Sequence, residues 1–271
     1  MKIAALQMVS ATRVDANLES ASRLVAEAAA QGASLVALPE YFCFMGRADR
    51  DKLAIAEAPG RGPIQEALAG LARRHRVWLI GGTLPLQSAE PERVLNADCV
   101  YAPDGSLAAR YDKIHLFRYD NGRERYDEGR VLRAGETPVA FDAGGWRVGL
   151  SVCYDLRFPE LYRALAARGA RVIAVPSAFT LATTRDHWEI LLRARAIEDQ
   201  CFVIAANQIG DHGHGMRSGG RSMIVDPWGV VLASAPDAEC AIVADLDLDA
   251  LADVRRRLPS LAHRRPQELY A

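Results

Sequence analysis

The sequence predicts an α/β fold, in which one domain over residues 1–271 forms an α-β-β-α sandwich of two mixed sheets with outer helices. Three observations predict it. Half of the 271 residues are apolar and 25% are charged, which suits a large buried core. Apolar runs of strand length alternate with amphipathic helical stretches, and hairpin patterns interrupt this order. No linker rich in proline or serine and no charge block divides the chain.

The first part of the chain alternates strands with helices. KIAALQMV has the length and apolar character of a buried strand. A helix is predicted from Ala16 to about Gln31, because Asp15 can cap it and Gly32 can end it. The strand SLVALPE follows, and its continuous apolar run is typical of a sheet buried on both faces. Pro63 then opens a second helix, which leads into the strand VWLIGGTL.

The middle of the chain favours hairpins. NADCVYAPDGSLAARYDK is expected to turn at residues 103–105, and FDAGGWRVGLSV at residues 144–145. The strand–helix order resumes with FPELYRALAARG, RVIAVPSA, HWEILLRARAIED and CFVIAANQ, before the hairpin SMIVDPWGVVLASA. We interpret Arg193 and Arg195 as part of a solvated helix face. The proline-containing tail, residues 258–271, does not predict a helix, and we expect it to cross onto a partner subunit.

Composition excludes several classes of protein. The 33 Lys and Arg residues balance 34 Asp and Glu residues, so we expect the protein to bind neither nucleic acid nor an anionic membrane. No uncharged run approaches the roughly 20 residues that span a bilayer. The five cysteines are widely spaced without a C-x-x-C motif, which argues against a disulfide scaffold or a zinc site. The first residues are typical of a strand and not of a signal peptide, so we expect a cytoplasmic protein.

The segment WRVGLSVCYDLRFPELYR places a cysteine at the end of a strand. Val148, Leu150 and Val152 alternate along this strand, and Pro159 suits the first turn of the next helix. At such an exposed elbow, nearby backbone N–H groups would lower the pKa of the Cys153 thiol and activate it as a nucleophile. The alternative is a small buried hydrophobic residue, which is the commoner role of a free cysteine.

Two further segments supply charged groups. Glu40 ends the strand SLVALPE, where catalytic groups of α/β folds collect, although a solvated loop glutamate is the alternative. Lys113 lies among the apolar residues of YDKIHLF, where a lysine can also extend from the core to solvent. A thiol, a carboxylate and a lysine can hydrolyse an amide without histidine. The carboxylate moves protons, and the ammonium and a backbone N–H stabilise the oxyanion.

The motifs LPEYF, YDKIHLF and SVCYDLRFPELYR resemble those of the nitrilase (carbon–nitrogen hydrolase) superfamily in order and approximate spacing. The likeness continues to the tail and is greatest for the Nit branch, whose amidases act on deaminated glutathione and related ω-amides. It implies Glu40 as general base, Lys113 as oxyanion stabiliser and Cys153 as nucleophile. The Tyr154 backbone N–H would be the second oxyanion donor. Glu128 would hold the lysine and the attacking water, although its flanking residues, YDEGRV, depart from the family pattern.

The resemblance implies an amidase that forms a homodimer or a higher homo-oligomer and needs no cofactor and no metal. Its reaction would cleave the primary amide of a small ω-amido acid, such as deaminated glutathione or an α-ketoglutaramate-like compound, through a cysteine thioester and release ammonia. Two alternatives within the superfamily are hydrolysis of N-carbamoyl compounds and of nitriles. An alternative of another class is a catalytically silent interaction protein that retains the fold.

The segment FRYDNGRERYDEGRVLR, residues 117–133, is polar and broken by glycine, so we expect it over the mouth of a pocket. An arginine there can bind a distal carboxylate of the substrate in a bidentate manner. The candidates are Arg118, Arg123, Arg125, Arg130 and Arg133. The alternative is a solvated loop in which these arginines pair with acidic neighbours, namely Asp120, Glu124, Asp127 and Glu136. His212 and His214, in a glycine-rich loop, do not predict a metal site.

Overall fold

The protein is described by a computed structural model that covers residues 1–120, 122, 125–213 and 215–265. Its first sheet has eight strands: β1 (Lys2–Gln7), β2 (Leu35–Ala37), β3 (Trp78–Ile80), β4 (Leu84–Gln87), β5 (Val94–Tyr101), β6 (Leu107–Asp112), β9 (Leu132–Arg133) and β18 (Cys240–Asp245). The strands run in the order β18-β1-β2-β3-β5-β4, with β6 and β9 also paired to β5. The β1, β2 and β3 strands are parallel, and β18, β4 and β6 pair in antiparallel fashion.

The second sheet has six strands: β10 (Ala140–Ala143), β11 (Trp146–Leu150), β12 (Val172–Ala174), β13 (Phe202–Ala205), β16 (Met223–Val225) and β17 (Val231–Ser234). Its centre, β11-β12-β13, is again parallel, with antiparallel strands at both sides. Two short hairpins lie outside the sheets: β7 (Arg118–Asp120) with β8 (Arg125–Asp127), and β14 (Ile209–Asp211) with β15 (Arg217–Gly219).

Seven α-helices accompany the sheets in the described part of the chain: α1 (Val14–Ala30), α2 (Asp51–Ala54), α3 (Pro63–His75), α4 (Pro159–Ala167), α5 (Leu181–Thr183), α6 (Glu189–Asp199) and α7 (Leu248–Arg257). Short 3-10 helices cover Glu128–Arg130 and Cys153–Arg157, and a π-helical turn, Thr184–Trp188, leads into α6. Among the described residues, no helix is long and apolar enough to cross a membrane.

The two faces of the first sheet explain the sandwich. Successive side chains of a strand point to opposite faces, so one apolar strand can contribute to two cores. Ile3 and Ala5 of β1 belong to the cluster shared with the second sheet. Ala4 and Leu6 belong to the cluster that includes Leu24 of α1 and the apolar face of α3. This arrangement confirms the predicted fold class, with two mixed sheets face to face and helices outside them.

Local elements follow the predicted pattern with small differences. Hydrogen bonds close the predicted turn at residues 103–105, and residues 144–145 connect β10 to β11. Helix α1 begins at Val14, two residues before the predicted start, so Asp15 lies in the first turn and pairs with Arg13. In the tail, residues 258–265 contain no helix, as predicted, and residues 266–271 lie outside the described part of the chain.

The interpretation of α6 as a solvated face is wrong for one of its two arginines. Arg193 is half-exposed and pairs with Glu189, as expected. Arg195 is buried instead, and its Nε and Nη2 donate to the Leu156 carbonyl at 3.1 and 2.7 Å. It lies on the same helix face as Leu192, which packs in the core. Arg195 therefore supports the segment that follows Cys153.

One buried acid in the first sheet lacks a partner. Asp98 lies in β5 with 0% exposure, and neither of its carboxyl oxygens has a hydrogen-bond partner among the described residues. Burial raises its pKa well above the ordinary value. The folded protein therefore keeps a proton that the unfolded chain releases above a pH of about 3.9. By linkage, this residue lowers the stability of the fold progressively as the pH rises above that value.

We predict that Asp98→Ala raises the free energy of unfolding at pH 8 by about 1–3 kcal/mol, because an unsatisfied buried polar group is removed. The gain should be smaller at pH 5, because the destabilisation that the protonated Asp98 causes increases as the pH rises. Urea unfolding at both pH values measures this difference. The exposed Asp237 offers a control, since Asp237→Ala should change neither value appreciably. A loss of stability in Asp98→Ala at pH 8 would contradict the prediction.

Candidate active site

An ammonium group without exposed surface lies at the centre of the site. Lys113 follows β6 directly, and its side chain is 0% exposed. Its Nζ donates to Glu40 Oε1 at 2.8 Å and to Oε1 and Oε2 of Glu128 at 3.0 and 2.8 Å. Such partners are necessary because a buried ion without them costs several kcal/mol. The two carboxylates therefore allow Lys113 to be buried.

Glu40 lies just beyond the carboxyl end of β2, at the sheet edge that the sequence predicts. In addition to Lys113, Oε1 accepts from Asn96 Nδ2 at 2.9 Å, and Oε2 accepts from the Ala178 N–H at 3.0 Å. Gly82, with a φ of +65°, passes so close that a side chain there would overlap the carbonyl oxygen of Pro39. Only glycine fits this approach. Three segments thus fix the Glu40 carboxylate.

Glu128 reaches the same ammonium from the 3-10 helix that follows the β7–β8 hairpin. Its Oε1 accepts from the Tyr41 hydroxyl at 2.7 Å, and its Oε2 accepts from the Phe117 N–H at 2.7 Å. Each oxygen therefore bonds both to Lys113 and to a second donor. The structure brings together Lys113 and two carboxylates that lie 73 and 15 residues away in the sequence.

Burial and nearby charges together raise the pKa values of Glu40 and Lys113 and lower that of Glu128. Burial raises the pKa of Glu40, and the negative charge of Glu128 adds to this rise although Lys113 opposes it. Burial would also raise the pKa of Glu128, but Lys113 and hydrogen bonds hold it below its ordinary value. Burial alone would lower the pKa of Lys113, whereas the two carboxylates hold it well above its ordinary value. Glu40 is therefore the better proton acceptor, and Glu128 is the ionised partner of Lys113.

Cys153 lies at a strained turn after β11, at the start of its 3-10 helix. Its φ of +49° is uncommon for a residue with a side chain, and its N–H donates to the Pro176 carbonyl at 2.9 Å. Among the charged groups around the thiol, Glu40 acts on it most strongly. Tyr154 follows in the first turn, where backbone N–H groups lack partners within the helix. The turn thus presents a thiol and an N–H group side by side.

The thiol pKa is raised, which contradicts the expectation of a lowered value. Burial is the main cause, and the Glu40 carboxylate adds to it, while Lys113 and a backbone hydrogen bond oppose it. The expectation relied on an exposed elbow, but Cys153 is only 9% exposed. Removal from water disfavours the thiolate more than the nearby N–H groups favour it. The resting thiol is therefore neutral and would need a base to act as a nucleophile.

A buried carboxylate connects the lysine segment to the cysteine turn. Asp155, with 0% exposure, accepts from the His115 N–H at 3.0 Å and from the Val152 N–H at 2.8 Å. It also bonds the Tyr111 hydroxyl at 2.6 Å and His115 Nδ1 at 2.7 Å. These donors lie within two residues of Lys113 or directly before Cys153. Asp155 therefore sets the position of one segment against the other.

A cavity of about 550 Å³ opens beside these groups. Glu40, Glu128, Cys153 and Tyr154 form part of its lining, together with Tyr41. Four arginines also line it: Arg47, Arg125, Arg157 and Arg217. The cavity therefore combines the thiol and both carboxylates with positive charge around them, which suits a small molecule that carries an acid.

Phe117 and residues 125–128, from the described part of the segment 117–133, line one side of this cavity, as the sequence predicts. Arg125 belongs to the lining and also approaches Asp120 at 3.7 Å. Arg130 pairs with Asp127 at 3.5 Å, as the alternative interpretation expects, whereas Arg133 pairs at 3.9 Å with Glu90, which is not one of the expected acids. Arg123 and Glu124 lie outside the described residues.

The histidine-containing loop serves a structural purpose at His212. Its Nδ1 bonds the Ser10 carbonyl at 2.8 Å, and its Nε2 bonds Ser218 Oγ at 2.9 Å. His214 lies outside the described residues. In the part of the chain that the structure describes, no group of three or more His, Cys, Asp or Glu residues could hold a metal ion.

Sequence reasoning missed three side chains that fix the site: Tyr41, Asn96 and Asp155. Asn96 carried a usable signal, because a buried amide in a predicted strand requires polar partners. Asp155 stands in the quoted cysteine motif, but its partners come from a distant segment. Tyr41 offers no such signal, since the turn that directs its hydroxyl is not visible in the residue types.

Comparison with known proteins places these groups in context. The sequence profile of the family named Carbon-nitrogen hydrolase matches residues 2–256. A deaminated glutathione amidase from Synechocystis sp. (strain PCC 6803 / GT-S) is 41% identical over 265 residues, which cover 96% of this chain and 97% of that protein. Omega-amidase NIT2 from Homo sapiens is 36% identical over 271 residues, which cover 100% of this chain and 96% of that protein.

The fold is similar to that of a crystal structure. The C. elegans NitFhit protein superposes with a TM-score of 0.90 and 37% sequence identity. The superposition covers 100% of this chain and 66% of the NitFhit chain. A similarity of this extent holds for the whole sandwich and not for an isolated motif.

We predict that Glu40→Gln lowers the midpoint of the pH dependence of Cys153 alkylation by iodoacetamide, because the negative charge that raises the thiol pKa is removed. Peptide mass spectrometry distinguishes Cys153 from the other four cysteines. Cys201→Ser provides a matched control, since Cys201 is buried just before β13, at the opposite end of the parallel strands from Cys153, and should leave the midpoint unchanged. A midpoint that stays the same or rises in Glu40→Gln would contradict this picture of the thiol.

Proposed function

The chain belongs to the carbon–nitrogen hydrolase family, and we propose that it hydrolyses the primary amide of a small ω-amido acid through a covalent intermediate on Cys153. The observation that carries this proposal is the sharing of one buried ammonium by two carboxylates beside a neutral thiol. Relatives named deaminated glutathione amidase and omega-amidase support the same class of substrate. In this proposal Glu40 is the general base and Lys113 is an oxyanion donor.

The first half of the reaction forms a thioester. Glu40 takes the proton of the Cys153 thiol while the sulfur attacks the amide carbonyl carbon. The tetrahedral oxyanion accepts hydrogen bonds from Lys113 and from the Tyr154 backbone N–H, and one such donor contributes about 10²–10³ in kcat. Glu40 then gives the proton to the amide nitrogen, the carbon–nitrogen bond breaks, and ammonia leaves. The raised pKa of Glu40 suits the proton transfer from the thiol, because a stronger base accepts this proton more readily.

The second half hydrolyses the thioester. Water gives a proton to Glu40 and attacks the carbonyl carbon, and the same two donors stabilise the second oxyanion. The carbon–sulfur bond then breaks, the sulfur recovers a proton from Glu40, and a carboxylic acid is released. Glu128 keeps Lys113 charged and in place, since in the resting site its carboxylate bonds the ammonium through both oxygens.

Positive charge in the cavity supports recognition of a second acid on the substrate. Arg125 comes from the segment that the sequence predicts over the pocket, and Arg47, Arg157 and Arg217 come from three other segments. A guanidinium group can bind a carboxylate through two parallel hydrogen bonds, a contact worth about 1.5–3 kcal/mol when it is partly removed from water. A primary amide at one end and a carboxylate at the other define an ω-amido acid.

We predict ammonia release from α-ketoglutaramate with a kcat/KM at least tenfold above that of the same amide with its distal acid esterified, since about 1.5 kcal/mol corresponds to roughly tenfold. Arg125→Ala should reduce this preference, whereas Arg130→Ala, a control on the same segment, should keep it. A nitrile and an N-carbamoyl compound complete the panel. Preference for either would favour the other reactions of the superfamily, and no product from any compound would favour an interaction protein.

We also propose that residues 1–271 act as one domain, that the protein is cytoplasmic, and that two copies pack through one exposed apolar face. The five free cysteines support a reducing compartment.

The apolar face consists of side chains that are 48–69% exposed on α6 and beside it: Ile190, Ile197, Trp228, Val230 and Leu258. Ile190 and Ile197 lie two turns apart on one helix face. Leu258 of this face is also the first residue of the tail, which supports the expectation that the tail crosses onto the second copy.

Ile197→Lys should shift the protein from dimer toward monomer in analytical ultracentrifugation, because it introduces a charge into the apolar face. Removal of residues 258–271 should also weaken association. Leu107→Lys is a matched control, since Leu107 is 49% exposed on β6, away from this face. The assembly proposal fails if the wild-type protein sediments as a monomer, or if neither change alters its sedimentation.

A further inference from the structure

Tyr41 has an unusual backbone conformation next to the proposed general base. It follows Glu40 directly, and its φ is +56°. A bulky residue rarely adopts this left-handed conformation, which costs of order 1–3 kcal/mol and persists only where the surroundings require it. The Tyr41 N–H donates to Thr83 Oγ1 at 2.9 Å, which fixes the turn. The turn directs the side chain back toward Glu128 instead of along the strand direction.

The hydroxyl of Tyr41 is part of the hydrogen-bond system around Lys113. It donates to Glu128 Oε1 at 2.7 Å, the same oxygen that accepts from Lys113 at 3.0 Å. The other two contacts of Lys113, with Glu40 Oε1 and Glu128 Oε2, are both 2.8 Å long. The longest lysine contact is therefore the one whose acceptor Tyr41 already satisfies.

An ammonium has three N–H donors, and in the resting site all three point at carboxylate oxygens. One of these N–H groups must turn toward the substrate when an oxyanion forms there. The bond to Glu128 Oε1 is the least costly to release, because it is the longest of the three and Oε1 keeps the hydrogen bond from Tyr41. Without the hydroxyl, the same release would leave a buried carboxylate oxygen unpaired, which is unfavourable.

The ring of Tyr41 is itself held in place. Lys52 Nζ lies 4.8 Å from the ring centroid, a cation–π distance, and pairs with Asp49 at 3.1 Å. The tyrosine is 9% exposed and lines the cavity. A chain of contacts thus runs from the loop around α2, through the tyrosine ring, to the carboxylate that holds Lys113.

We propose that Tyr41 is a positioning residue whose hydroxyl keeps Glu128 ionised and frees one N–H of Lys113 for the oxyanion. This inference rests on the proposed roles of Cys153 and Lys113 in amide hydrolysis. The ionisable groups that surround Glu128 are those of the site and of the cavity wall: Lys113, Glu40, Cys153, Tyr41, Asp127, Arg125 and the Lys52–Asp49 pair.

Tyr41→Phe tests the proposal, because it removes one oxygen atom and keeps the ring. The kcat for the preferred amide should fall about 10- to 100-fold, while KM should change less than threefold, since the hydroxyl acts on the oxyanion donor and not on the bound amide. In a Glu128→Gln background, Tyr41→Phe should cause little further loss, because Tyr41 acts through Glu128. Tyr101→Phe is the matched control: Tyr101 is a buried tyrosine away from the cavity, and its variant should keep full activity.

A titration gives a readout that does not depend on turnover. In protein labelled with ¹³C at the glutamate carboxyl carbons, the Glu128 signal is assigned by its absence from Glu128→Gln. Its midpoint should rise by about one pH unit in Tyr41→Phe, because a hydrogen bond to the charged form is lost. If the wild-type protein hydrolyses no amide, the proposed function fails and this titration still tests the contact. An unchanged midpoint together with an unchanged kcat would overturn the role of Tyr41.

Discussion

The burial of the Lys113 ammonium is the constraint on which the rest of the site depends. An ion with 0% side-chain exposure needs opposite charge within hydrogen-bond distance, and two carboxylates supply it. These come from the end of β2 and from the 3-10 helix after the β7–β8 hairpin, so two distant segments must converge at the end of β6. Removal of Glu128 would take away two of the three hydrogen bonds that the buried ammonium donates, and removal of Glu40 the third. The fold and the site are therefore stabilised by the same interaction.

The same constraint divides the work between the two carboxyl groups. Glu128 has four hydrogen bonds, two of them from Lys113, and its pKa lies below the ordinary value. Glu40 has fewer contacts with the ammonium, and burial raises its pKa. Two identical functional groups thus acquire different roles from their surroundings. The thiol beside Glu40 stays protonated for the same reason, so the proposed attack requires proton transfer to Glu40.

The sequence predicts the sandwich, because apolar runs and hairpin turns are local patterns. It also indicates Glu40 and Cys153, since strand ends in an α/β fold meet at a common edge, and the resemblance of YDKIHLF to a family motif adds Lys113. It does not predict burial at that edge, and the expected direction of the thiol pKa was wrong for this reason. The partners of Asp155 and the turn at Tyr41 depend on contacts between distant segments. The burial of Arg195 was visible in principle, because Leu192 shares its helix face.

The proposed mechanism depends on a covalent acyl intermediate on Cys153, which rapid acid quench can detect. Enzyme and α-ketoglutaramate are mixed, quenched within one turnover, and analysed by peptide mass spectrometry. We expect the Cys153 peptide to gain the mass of the substrate minus ammonia, and we expect this adduct to be absent in Cys153→Ser and in Glu40→Gln. Ammonia release without any adduct on the Cys153 peptide, or with full activity in Cys153→Ser, would contradict this mechanism.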